Sequence, residues 1–135
     1  MLVANLLDRR PYDFQDLVAW RQLVPLSAAA VAEQTGQDLV IVQTVTDRTY
    51  WAMLSEGMRD QGFEVAHVVL DCADQVLRRR IAADGVEAGA LGWRLDHIAA
   101  FDAAREWLTR DADLVIDTTG IDAGDVANRI LSAFA

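Results

Sequence analysis

Three consecutive arginines, Arg78, Arg79 and Arg80, form the most suggestive local feature of this 135-residue sequence. Successive side chains on a helix point about 100° apart, so at most two of the three converge on one ligand. Guanidinium groups donate in a planar fork that suits phosphate oxygens. The same cluster also fits a solvated helix face ion-paired to Asp74 or Asp84. Arg94 follows a glycine-containing stretch and can act from a lid, neutralising charge on a transferred phosphoryl group. Its plainer role is a helix-start arginine paired with Asp96 or Glu87.

Asp47 follows an aliphatic run and suits a magnesium-bound water or a base toward a hydroxyl. Capping a helix explains it equally well. Asp117-Thr118-Thr119-Gly120 can present backbone groups to a planar base, or simply turn the chain from strand to helix. Trp51 is placed to stack on a ligand, while Trp20, Trp93 and Trp107 read as core. His97 reads as a structural hydrogen-bonding residue, His67 as core within an apolar strand, and Cys72 as a small buried residue.

Composition narrows the chemistry. All 12 basic residues are arginine, against 21 acids, for a net charge of −9. A Schiff-base lysine, a lysine base and a P-loop lysine are therefore absent from these residues. The acidic balance argues against nucleic acid, which selects basic patches, and neither half of the chain escapes it. One cysteine excludes an internal disulfide, and two histidines make a Cys/His metal site improbable, so no metal site is expected from side chains. The start Met-Leu-Val-Ala-Asn-Leu-Leu lacks a basic region, and no apolar run approaches the roughly 20 residues that span a bilayer. The expectation is a soluble cytoplasmic protein with no membrane contact.

The elements that must hold these residues follow from periodicity. Residues 2–9 read as a helix end, and Pro11-Tyr12-Asp13 as a turn. A helix capped by Asp13 or Asp16 runs to about Gln34, with Leu17, Trp20, Val24, Ala28 and Val31 on its buried face and a kink or break at Pro25. Leu39-Val40-Ile41-Val42 reads as a strand buried on both faces. Thr46 or Asp47 caps a helix whose stripe is Tyr50, Met53, Leu54, Gly57 and Met58. A strand over 65–70 follows, then a helix over about 73–84 with Val76, Leu77 and Ile81 inward. Residues 85–92 read as a loop and 95–108 as a helix. A third strand covers 113–118, and a last helix capped near Asp122 carries Val126, Ile130 and Phe134. This alternation predicts a single α/β domain with a parallel sheet and its site at the carboxyl ends of the strands.

Read in order, several segments resemble P-loop kinases related to tunicamycin-resistance proteins, and more distantly chloramphenicol phosphotransferases and small nucleotide kinases. They are Asp13-Phe14-Gln15-Asp16 with Trp20-Arg21, then Tyr50-Trp51, then Leu77-Arg78-Arg79-Arg80-Ile81-Ala82. Trp93-Arg94-Leu95-Asp96-His97 and Val115-Ile116-Asp117-Thr118-Thr119-Gly120 complete the series. The resemblance implies a three-layer fold with a mostly parallel sheet, and ATP- and magnesium-dependent phosphoryl transfer to a small hydroxyl-bearing molecule such as an antibiotic or nucleoside. It implies that Arg78, Arg80 and Arg94 are lid arginines on the phosphates. Thr118, Thr119 and Gly120 would border the adenine, and Asp16, Gln43 and Trp51 would face the acceptor substrate, with Asp47 beside them.

The departure from the family is large. Such kinases carry a strand followed by G-x-x-x-x-G-K-[ST], whose amides and lysine cradle the phosphates. Here the first glycine is Gly36 and no lysine exists. The resemblance places the absent P-loop strand between the strands at 39–43 and 65–70, so the fold is expected to lack its first two strands. Three explanations are a shortened chain, a variant whose strands pair directly without catalysis, and a gap filled by a homodimer or a partner chain. The chain alone is expected to be inactive. The alternative is a non-catalytic binding or assembly module that pairs through its open sheet.

Overall fold

The computed structural model describes residues 13–85 and 90–134. The expected helix end over 2–9, residues 11 and 12 of the expected turn, Glu87 and the middle of the 85–92 loop lie outside them. Backbone contacts cluster into two compact units, Met1–Val65 and Ala66–Ala135.

In the first unit, the Asp13 carboxylate accepts the Gln15 amide at 2.9 Å and starts a 3₁₀ turn, Phe14–Asp16. Helix α1, Val18–Thr35, follows and ends on Gly36, whose φ of 65° is the left-handed geometry that glycine adopts without strain. Pro25 lies inside α1, which continues past it, so of the expected kink or break the break does not occur. The buried face is also rotated from the expected one: Arg21, Pro25 and Ala28 are buried, whereas Val31 is 47% exposed. Helix α2, Arg48–Asp60, is capped by Asp47, whose carboxylate accepts the amides of Thr49 and Tyr50 at 2.8 and 3.0 Å. Its buried residues are Leu54, Ser55 and Met58. The two helices meet closely at Gly57, where a Cβ would lie 2.8 Å from the Pro25 ring.

The strand expected at Leu39–Val42 does not form. Residues 36–47 carry no regular structure, and Val40 and Val42 are 84% and 90% exposed. A β-branched run favours extended backbone, but a strand needs a neighbour to take its N–H and C=O groups, and this segment has none among the described residues.

In the second unit, β1 (Val68–Asp71) and β2 (Leu114–Asp117) pair in parallel, with Val68 opposite Leu114 and Asp71 opposite Asp117. Between them run α3 (Asp74–Ala83) and α4 (Leu91–Asp111), and α5 (Ala123–Phe134) follows β2. Val69 packs on Ala104 and Leu108 of α4, with Phe101, Trp107 and Ala112 around them. Side chains alternate along a strand, so Leu70 turns to the opposite face, where it lines a groove with Val126 and Ile130 of α5. The helix content and the parallel pair make this a mixed α/β structure.

One further expectation is corrected. His67 is half-buried just before β1 rather than in the core, and its amide donates to the Asp113 carboxylate at 2.7 Å. Val76, Leu77 and Ile81 are the half-buried residues of α3, as expected of its inward side, and the rest of that helix is exposed. Cys72 is buried, as its type suggested. No described helix is long and apolar enough to cross a membrane.

Candidate functional site

The carboxyl ends of β1 and β2 lie side by side, and the chain folds back over them through α3. Asp71 ends β1. Its backbone carbonyl accepts both the Thr118 amide at 2.8 Å and the Thr118 hydroxyl at 2.9 Å. Arg80, on the last turn of α3, donates from Nη1 to Thr118 Oγ1 at 3.1 Å and from Nη2 to the Thr118 carbonyl at 2.7 Å. The same Nη1 lies 3.6 Å from Cys72 Sγ. Thr119 Oγ1 accepts the Ala73 amide at 2.9 Å, which ties the start of the β1–α3 turn to the loop after β2. Thr118 is 9% exposed, while Gly120 has open space around it.

The three arginines of the 78–80 run do not converge. Arg78 pairs with Asp74 one helical turn earlier at 2.9 Å, and both side chains are half-exposed. Arg79 Nε donates to the Gln75 carbonyl at 3.2 Å. Arg80 alone turns to the strand ends. Their 100° steps explain the split, since the helix offers each guanidinium a different neighbour. Arg94 Nη1 donates to Asp84 at 2.6 Å, which ties α4 to the residue that ends α3.

Two side chains at the strand ends carried no motif signal. Asp71 accepts the Cys72 amide at 2.7 Å, and its Oδ1 lies 3.4 Å from Arg105 Nη2. Arg105 also bonds Asp102 at 2.9 Å and sits over the Phe101 ring, with its Nε enclosed and unpartnered. In the sequence Arg105 occupies the apolar stripe of Ile98, Phe101 and Leu108, which was the available hint that it points inward. Asp117, opposite Asp71, is held below the usual carboxylate range by the Thr119 hydroxyl and, next, by the Thr119 amide at 2.9 Å.

A groove of about 600 Å3 opens beside this corner. Leu70, Ile121, Val126 and Ile130 give it aliphatic walls, and Arg80, Thr118 and Asp122 are its polar lining. Its character suits a flat, mostly apolar group with a polar edge.

The substrate residues expected in the first unit are partly gathered. Tyr50 donates its hydroxyl to Asp16 Oδ1 at 3.2 Å, and Asp47 caps the same residue's amide. Burial pushes the Tyr50 phenol up, and the hydrogen bond and charge of Asp16 add to the rise. Trp51 is half-buried on α2, and Gln43 lies half-buried in the irregular segment. Gln15 Nε2 donates to the Thr44 carbonyl at 2.6 Å, anchoring that segment to the 3₁₀ turn. The sequence motif left Arg21 without a role, yet it is central here. It is 6% exposed, stacks at 3.9 Å over the Tyr50 ring, and donates to the Met53 thioether at 3.4 Å and to the Gln15 carbonyl.

Among the described residues no group of three His, Cys, Asp or Glu side chains is arranged to hold a metal ion. No family model, no curated protein and no solved structure matches the chain.

Proposed function

We propose that these residues are the α/β portion of a three-layer, P-loop-kinase-like phosphotransferase of the tunicamycin-resistance type, completed by a strand from outside them. One observation carries this reading. Among the described residues β1 is paired in parallel on one edge only, so its other edge offers backbone donors and acceptors beside the Asp71 end, where the resemblance expects a phosphate-loop strand. An open edge beside apolar residues is a standing template for another strand. The groove by Thr118 supports the adenine assignment, because its mostly aliphatic walls, with Arg80, Thr118 and Asp122 as the polar lining, suit a purine.

Completed in this way, the protein would transfer a phosphoryl group from magnesium ATP to a small hydroxyl-bearing molecule. These residues by themselves do not. Phosphoryl transfer is almost wholly positioning and electrostatic stabilisation, and the sequence holds no Gly-Lys-Ser/Thr cradle to provide them. Arg78 and Arg94, each already engaged with an aspartate, would have to exchange partners to reach a phosphate.

Calorimetric titration of the 135-residue chain with MgATP tests the proposal. The expected result is no saturable heat at millimolar nucleotide; tight binding would show that the site is already complete. The in-frame translation upstream of the Met1 codon supplies a second check. A G-x-x-x-x-G-K-[ST] segment there identifies the missing strand.

A non-catalytic assembly module is the second reading, favoured by the exposure of Val40 and Val42. It requires self-association or capture of a partner chain. A strict monomer at every concentration in sedimentation contradicts association with a second copy.

A further inference from the structure

We infer that Arg21 is the anchor of a binding site for a small molecule's oxyanion, a carboxylate or a phosphate, at the Asp16–Tyr50 corner of the first unit. The site stands whether or not a phosphate loop completes the fold, and it needs no nucleotide.

Arg21 is a buried cation in an unfavourable place. It lies in the first turn of the 18-residue helix α1, where the aligned peptide dipoles present positive charge. Among the described residues no carboxylate lies within ion-pair distance of it. Its contacts are a carbonyl, a thioether and the face of a phenol ring. These hold the guanidinium plane in one orientation but supply no counter-charge. Nε and Nη1 are engaged, and Nη2, which is not among the enclosed unpartnered atoms of the described residues, is left to donate outward. A buried charge without an anion is expensive, and such exceptions to the packing rules concentrate at functional sites.

The surroundings suit an oxyanion in particular. A guanidinium fixed on two sides and unspent at a third donor pair matches a carboxylate or phosphate oxygen. The nearby acids are already committed. Asp16 accepts the Tyr50 hydroxyl, and Asp47 accepts the amides of Thr49 and Tyr50. Asp16 remains exposed, so its second oxygen can accept a hydroxyl or amine from the same ligand. The combination selects a molecule that carries an oxyanion with a donor group close by.

The test uses the full 135-residue chain, with inorganic phosphate and acetate as separate probes against chloride at constant ionic strength. Tryptophan fluorescence reports binding, since Trp20 and Trp51 flank the Arg21–Tyr50 pair in sequence. A saturable response to phosphate alone assigns a phosphate ligand, and one to acetate alone assigns a carboxylate. Arg21→Met should weaken that binding by about tenfold or more, because it removes a charge-assisted hydrogen bond. Absence of a saturable response to either anion, or equal affinity in R21M, overturns the inference. Should R21M fail to fold, the Arg21 Nε–H resonance of the unaltered chain decides. A saturable shift with the probe supports the site, and an unchanged resonance across the titration rejects it.

Discussion

Arg80 grips Thr118 twice, through the hydroxyl at 3.1 Å and through the backbone carbonyl at 2.7 Å. Thr118 in turn bonds the carbonyl of Asp71 with its amide and its hydroxyl. One guanidinium thus fastens α3 to the point where both strands end. An arginine so engaged holds the framework of the strand ends, whatever else it touches when a ligand arrives.

Arg80→Met should therefore lower stability by about 1–2 kcal/mol, the usual worth of a lost charged hydrogen-bonding partner. Arg80→Lys should lose a large part of the same amount, because an ammonium cannot reproduce the planar two-point contact. Urea unfolding checks both. Wild-type stability in R80M would show that the clamp is incidental.

Gly57→Ala places a methyl 2.8 Å from Pro25 Cγ and 3.3 Å from Pro25 Cβ. Alanine is the better helix former by about 1 kcal/mol, but a proline ring cannot swing away as a long side chain can. Overpacking should win, for a net loss of about 1–2 kcal/mol. A thermal melt of G57A that matches or exceeds wild type would mean that α1 shifts freely along α2.

Asp47→Ala should cost about 1 kcal/mol, because the carboxylate satisfies two orphan amides at the start of α2. Asp47→Asn should recover most of it. Circular dichroism melts of the two variants separate capping from charge. If D47A is silent in stability, the residue's value lies in ligand chemistry instead.

Asp117 ionises below the ordinary aspartate range because the Thr119 hydroxyl and amide favour its carboxylate. Its folded pKa lies below its unfolded one, so its stabilising contribution is complete above the unfolded value, near pH 4. That contribution is lost as pH falls through the lower, folded value. Thr119→Val should move the Asp117 carboxyl midpoint upward in an NMR titration and flatten the acid limb of the stability curve.

Val42→Asp probes association. Val42 is 90% exposed, so the substitution should change unfolding stability by no more than about 0.5 kcal/mol. If the 39–42 segment pairs with another chain, the same change should abolish that pairing in sedimentation. Association that survives V42D excludes this segment as the contact.

The helices were legible because their signals are local. Asp47 announces α2, Gly36 closes α1, and β1 and β2 are short apolar runs set between helical periods. The strand at 39–42 was not legible, since its β-branched residues describe a preference that only a neighbouring strand can satisfy. The face of α1 was misread for another reason. Counting apolar residues selected Val24 and Val31, whereas burial selects Arg21, whose long stem, flat cation and ring contact fill the space beside Tyr50. Similarly, the run 78–80 advertised charge without saying which way each arginine turns. Only the positions of Asp74, Gln75 and Thr118 divide their roles.

The parallel pairing of β1 with β2 also dictates an order of events as the chain is made. His67 and Asp113, which bond at the start of the pair, are 46 residues apart in sequence. Both helices between them can form from neighbouring residues, but closing the sheet must await synthesis of the second strand and pay the entropy of joining distant segments. During translation, β1 therefore leaves the ribosome as an unpartnered apolar edge and stays so through the synthesis of α3 and α4. That interval is when the nascent protein is most open to chaperones, and to a strand from any other source.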